Sequence, residues 1–217
     1  MYKTILLILV LILNVTSVHL VSATTVNNEL NHAVTNNDIQ KVEELVSKGV
    51  DLNVTEGLDS WSPLFRAVFK GRVEIVKILI DNGADINARD TQGVTPLIEA
   101  AIKGETEIAK LLIDKGADVN AKNLHGMTPL MLAANFGYTG MVKYLIDKGA
   151  DINFKDPRKV TPLWKAASFG HNDIVKFLIA KGADVNVQDS YGCSAVSIAS
   201  SKGHLDTVQI LKDAGAK

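Results

Sequence analysis

Cysteine is almost missing from this chain. Cys193 stands alone in 217 residues, which excludes an intramolecular disulfide framework and any cysteine-rich zinc site. Neither sign of charge is in surplus, since 23 lysines and arginines face 24 aspartates and glutamates for a net charge of −1. A face for phosphate backbones would have to be made by segregating charges, and no nucleic-acid partner is expected. The chain also has no phosphate-binding glycine loop and no His, Cys or carboxylate group at metal-ligand spacing. No cofactor, no metal and no catalysis are therefore expected. What is plentiful is apolar residues: 47% of the chain, with 22% charged, excludes a disordered acidic or basic tail.

Long hydrophobic runs are equally scarce. The only one is Ile5–Leu13, nine unbroken apolar residues behind Lys3. A more polar stretch with Asn14, Thr16, Ser17 and His19 follows, and Val21-Ser22-Ala23 places small or medium side chains where a signal peptidase cuts. Nine helical residues reach only about 14 Å against a hydrocarbon core of about 30 Å. The expectation is a secretory signal over residues 1–23, cleaved after Ala23. An uncleaved anchor, and with it a membrane contact, requires Val15–Val21 to join the span. A short lysine-led signal on a cysteine-poor chain fits a bacterial periplasmic or secreted protein.

From residue 24 onward the sequence repeats itself. Pro63, Pro96, Pro129 and Pro162 are spaced by 33 residues. Gly71, Gly104, Gly137, Gly170 and Gly203 keep that step, as do Gly83, Gly116, Gly149, Gly182 and Gly215. The chemistry of one unit is that of two antiparallel helices. Thr95 is placed to cap a helix whose first residue is Pro96, where no amide partner is lost. Ala100-Ala101 let that short helix pack closely, and Gly104 suits its left-handed end. Thr106-Glu107 open a second helix whose Ile108, Leu111 and Leu112 form one stripe. Asp118 and Asn120 suit a turn in which side chains satisfy backbone groups. Such a pair cannot bury its stripe alone, so the units must stack.

These residues resemble the ankyrin repeat. The likeness is carried by Thr-Pro-Leu at 95–97, 128–130 and 161–163, by Ser-Pro-Leu at 62–64, and by the four G-A-D-[IV]-N segments that follow the second helices. Glu74-Ile75-Val76-Lys77 and Asp173-Ile174-Val175-Lys176, which open second helices, add to it. The fold it implies is all-α: a solenoid of about six helix-turn-helix units joined by β-turn hairpins, at about 24–56, 57–89, 90–122, 123–155, 156–188 and 189–217. The end units depart from the pattern. The first has Asn28-Glu29-Leu30 for Thr-Pro-Leu and Asn37 for glycine, and the step from Gly49 to Gly83 is 34, one residue inserted near Glu56–Ser60. The last has Ser194-Ala195-Val196 and a serine-rich first helix. Polar end units are what a stack needs where it stops.

The remaining reactive residue types find framework roles. His171 and His204 follow the mid-unit glycines, where this family commonly carries histidine for structural reasons. Cys193 sits in a turn without a charged or histidine neighbour in sequence that would activate it. Asn53-Val54-Thr55 matches a glycosylation sequon, but by period Asn53 is the turn asparagine.

The resemblance implies binding of another protein through a concave side made of turn tips and first helices. The candidate contact residues are the apolar ones at those positions. They are Trp61, Val94, Met127 and Val160 before each Thr/Ser-Pro-Leu; Phe65, Ile98, Met131 and Trp164 after it; and Phe69, Ile102, Phe136 and Phe169 further along the first helix. Packing between units accounts equally well for the Phe65 column. Two adjacent apolar columns, by contrast, exceed what a monomer leaves exposed without use. Arg66, Glu99 and Lys165 follow the second column and would add selectivity. The expectation is a monomeric, non-enzymatic, exported interaction module; a secreted effector engaging host proteins, or a tethered scaffold if the signal stays attached, are the alternatives.

Overall fold

The computed structural model describes residues 28–55 and 57–217. The signal expected over 1–23 lies outside them. Among the described residues the helices follow one another in pairs: α1 (28–36) with α2 (Ile39–Ser47), α3 (Pro63–Phe69) with α4 (Val73–Asp81), α5 (Pro96–Lys103) with α6 (Thr106–Asp114), α7 (Pro129–Phe136) with α8 (Thr139–Asp147), α9 (Pro162–Ser168) with α10 (Asn172–Ala180), and α11 (Ala195–Ser201) with α12 (Leu205–Asp213). Among the described residues there is no strand, though Gln188 and Ser194 form an isolated antiparallel bridge. None of these helices is long and apolar enough to cross a membrane. The architecture is the helix-turn-helix solenoid expected from the sequence.

Each first helix starts as its sequence dictates. The hydroxyls of Ser62, Thr95, Thr128, Thr161 and Ser194 accept from the backbone amides of Phe65, Ile98, Met131, Trp164 and Ser197 at 3.1–3.4 Å. The four prolines occupy the first helical position, where no hydrogen bond is lost. Asn37 takes a left-handed φ of 60° in the role glycine plays elsewhere, a conformation asparagine tolerates.

The core is a set of columns repeating from pair to pair. Leu64, Leu97, Leu130 and Leu163 from first helices pack with Ile75, Ile108, Met141 and Ile174 from second helices, all fully buried. Ala100-Ala101, Ala133-Ala134 and Ala166-Ala167 are buried too. With only methyl groups at these positions, successive first helices pack on one another more extensively than successive second helices do.

Polar side chains join the pairs. Asn53, Asn87, Asn120, Asn153 and Asn186 each accept, through Oδ1, a backbone amide one unit onward: Asp85, Asp118, Asp151, Asp184 and Lys217, at 2.7–3.0 Å. Asn53 of the sequon is therefore a framework residue. A second row reaches backward from the start of each second helix. Arg72 donates to the Thr35 carbonyl at 3.3 Å, Tyr138 to Ile102 at 3.5 Å, His171 to Asn135 at 3.0 Å and His204 to Ser168 at 3.2 Å. A carbonyl only accepts, which places the imidazole proton on Nε2 in both histidines. Glu105 fills the same row without a proton to donate. On the outer end of the second helices, Asp81–Lys115 (2.6 Å), Asp114–Lys148 (2.8 Å) and Asp147–Lys181 (3.7 Å) form a ladder of ion pairs. Exposed pairs of this kind contribute about 0–1 kcal/mol each.

Candidate protein-interaction face

The turns that connect the pairs are built around one acid or amide each. Asp90 Oδ1 accepts the amides of Gln92 and Val94, Asp156 those of Arg158 and Val160, and Asp189 those of Tyr191 and Cys193, all at 2.8–2.9 Å. Asn123 does the same for His125 and Met127 at 3.0 Å. Neighbouring turns are also tied by backbone bonds, Thr91 to Asp59 (3.2 Å), Leu124 to Gln92 (2.9 Å) and Ser190 to Arg158 (2.8 Å). The 33-residue step puts Pro157 at the remaining donor position. Proline has no amide hydrogen, so the tie between the turns of the fourth and fifth pairs is missing.

This turn geometry corrects the expectation for the first column. The hairpin closes between Asp90 and Val94, and between Asp156 and Val160, so its last residue folds back under the tip. Val94 and Val160 are buried, and Trp61 and Met127 half-buried. Trp61 lies over Phe65 and Phe69, with ring centroids 5.2 and 4.7 Å away. The residues that do face water are two or three places earlier in the turn: Leu58, Leu124 and Tyr191 are largely exposed. A sequence signal existed for Leu124 and Tyr191 in their place between the turn-forming Asp or Asn and the turn glycine.

In the second column Phe65, Ile98 and Met131 are buried between pairs, while Trp164 is half-buried. Burial removes Phe65, Ile98, Met131, Val94 and Val160 from any open contact surface, because apolar side chains pointing between the first helices are the packing that joins them. The third column is two columns. One step of 33 carries Phe69 to Ile102 and then to Asn135 and Ser168. Phe69 and Ile102 are half-buried. Phe136 and Phe169 occupy the next position, that of Lys70, Lys103 and Lys202, at the end of the first helix where the side chain leaves the stack. They are 45% and 52% exposed, two aromatic rings in a row otherwise held by lysine.

The charged residues of the second column differ in environment. Glu99 is buried, and that burial raises its carboxyl above the ordinary carboxylate range; the Lys103 charge opposes this and Asp90 adds to it. Burial pulls the Lys165 ammonium below the usual lysine value, Arg158 adds to this and Asp156 opposes it. Lys165 borders a cleft of about 660 Å³ at the interrupted turn, walled by Leu124, His125, Met127, Asp156, Pro157 and Arg158. Three donors on this face, the indole nitrogens of Trp61 and Trp164 and Nε of Arg66, are buried without a hydrogen-bond partner among the described residues. The described residues contain no group of three or more His, Cys, Asp or Glu placed to hold a metal ion.

Comparison with known proteins agrees with the architecture. The family profile described as ankyrin repeats (3 copies) matches residues 7–90, 30–123, 88–156 and 130–217. The chain belongs to the ankyrin-repeat family. It is similar to the 2-5A-dependent ribonuclease of Mus musculus, 41% identical over 69 residues, 32% of this chain and 9% of that protein. It is also similar to the ankyrin repeat and SAM domain-containing protein 6 of Rattus norvegicus, 39% identical over 54 residues, 25% of this chain and 6% of that protein. In each case the match spans less than a tenth of the relative, so what those proteins do as wholes is not carried over. The fold they share is generally a non-enzymatic interaction module.

Proposed function

We propose that this chain is an exported, non-enzymatic binding protein that grips a partner protein on the face formed by its turn tips and first helices. The observation that carries the reading is the pair Phe136 and Phe169, exposed aromatic rings one unit apart at the ends of successive first helices. Aromatic anchors of this kind are enriched at interface cores and depleted elsewhere on surfaces. Half-buried Ile102, Met127 and Trp164 stand in the other columns of the same face and widen the apolar surface. Export is supported by the layout of Lys3, Ile5–Leu13 and Val21-Ser22-Ala23.

The test uses Phe136→Asp with Phe169→Asp in the full chain. Both rings are about half exposed, so helical content is expected to be unchanged. A partner cross-linked to the unaltered protein in its own cells is expected to be lost from this variant and kept by Lys176→Glu, which alters the exposed surface of α10 on the opposite side. Retention by the double variant would refute the reading. N-terminal sequencing of protein recovered outside the cytoplasm reads the expected start at Thr24, and an intact Met1 there would refute cleavage.

A further inference from the structure

The net charge of −1 conceals a segregation of charge. On the first-helix face Lys70, Lys103 and Lys202 share a row with Phe136 and Phe169, and Arg66 and Lys165 lie in the row beside it. Arg158 and Lys159 add two more cations at the turn tip. Among the described residues none of these seven enters an ion pair. At the ends of the second helices Lys115, Lys148 and Lys181 do meet aspartates. The acids facing the cations are Asp59 and the buried Glu99, while the carboxylates of Asp90, Asp156 and Asp189 are taken up by backbone amides.

Buried donors on this face are also left without an acceptor among the described residues. The buried indole nitrogens and the Arg66 Nε have hydrogens to give and no acceptor. Lys103 Nζ lies 4.0 Å from the Phe69 ring centroid, and the Arg66 guanidinium carbon 5.8 Å from that of Trp61. The aromatic faces are thereby partly covered by cations, which leaves a patterned surface of apolar wells between positive charges. It includes the cleft of about 660 Å³ at Pro157, where the tie between turns is missing. Leu124, Met127 and Pro157 give that cleft apolar walls, and Arg158 and Lys165 stand at its edge.

We propose that this face takes an acidic, apolar-studded segment of a partner protein, one aliphatic or aromatic side chain entering the cleft at Pro157 and an adjacent carboxylate reaching Lys165 and Arg158. This names the partner chemistry of the binding face and rests on that reading. Charge complementarity selects the acid. A carboxylate accepts hydrogen bonds that Arg158 and Lys165 at the cleft can give, and restores a neutral balance around the partly desolvated Lys165. The wells select apolar side chains over a phosphate backbone. Among the described residues no run of exposed rings one base apart is present for stacking.

The experiment measures fluorescence anisotropy of the full chain with four labelled probes. They are a short peptide alternating Asp and Glu with Leu and Phe, the same peptide with Lys for each acid, the same with Ser for each apolar residue, and oligothymidylate. The acidic apolar peptide is expected to bind, to weaken with added salt, and to lose about tenfold or more in affinity in Arg158→Glu with Lys165→Glu. Should that variant lose helical content, Arg158→Ser with Lys165→Gln is used and the same direction is expected. Equal binding by the serine peptide, or tighter binding by oligothymidylate, overturns the proposal. Binding of the lysine peptide alone, lost in Phe136→Asp with Phe169→Asp, overturns the acidic preference and leaves the binding face standing. If no peptide binds, the proposal falls, and the cross-linking test above judges the face independently.

Discussion

Asn120→Ala is the most direct probe of how the units hold together. Asn120 Oδ1 accepts the Asp151 amide at 2.9 Å, and its Nδ2 donates to the Gly149 carbonyl at 3.2 Å. Asn87, the equivalent residue one unit earlier, shows only the first of these contacts, to the Asp118 amide at 3.0 Å. Both sites are exposed, so water replaces part of what is lost, and each bond is worth about 0.5–1 kcal/mol net. Asn120→Ala is then expected to cost about 1–2 kcal/mol and Asn87→Ala about 0.5–1 kcal/mol. Urea unfolding followed by circular dichroism measures both, and hydrogen exchange at the Asp151 amide provides a local reading. Stability of a stacked array is close to a sum of unit and interface contributions. A weakened central interface is therefore also expected to lower the slope of the urea transition if the two halves begin to unfold separately. A cost for Asn87→Ala equal to or above that for Asn120→Ala, or unchanged exchange at Asp151, would refute the reasoning.

Lys165→Met keeps the aliphatic stem and removes a partly desolvated charge, and is expected to raise stability at pH 7 by about 0.5–1 kcal/mol while weakening the acidic peptide; unfolding and anisotropy on one preparation check both. Glu99→Gln is expected to stabilise at neutral pH. With the folded carboxyl pKa raised above its unfolded value, the native state binds more protons between the two, so unaltered Glu99 lowers stability as pH rises through that window. The advantage of glutamine should therefore vanish below the unfolded value, as urea midpoints over a pH series would show. Gly126 has φ 74° and a β-carbon there would lie 2.4 Å from Pro157 Cδ, whereas Gly116 has φ 98° and open space. Both alanine variants pay left-handed strain of about 1–2 kcal/mol, so a larger loss in Gly126→Ala measures the added contact with Pro157. Lys159 stands at φ 61° where Gly126 and Gly192 stand in neighbouring units, and Lys159→Gly is expected to raise the melting temperature slightly.

The framework was legible because each of its residues has a reason that holds within one unit. A hydroxyl before proline caps a helix wherever it stands, and paired alanines permit close approach in every first helix. The face was less legible, for two physical reasons. Whether Val160 sees water depends on how the Asp156 turn closes, and a hydrogen bond from the Val160 amide to a side chain leaves no mark in hydrophobic pattern. Phe136 and Phe169 lie one residue beyond the column of Phe69 and Ile102, and on a helix one residue is a rotation of about 100°, enough to carry a ring from packing to solvent. The seven unpaired cations escaped a reading by net charge, since the acids that cancel them lie on other surfaces.

Pro157 shows how a framework column can make a site. Its ring occupies the place of an amide that elsewhere ties one turn to the previous one, so the fourth and fifth tips meet through Gly126 and the pyrrolidine rather than through a hydrogen bond. The cleft walled by Leu124, Met127 and Pro157 lies at that missing tie. Pro157→Ala restores the donor, and the His125 carbonyl is the acceptor that the 33-residue step supplies. If the tie forms and the cleft narrows, stability and peptide affinity must move in opposite directions. If they rise together, the cleft owes its shape to the side chains around it and not to the proline.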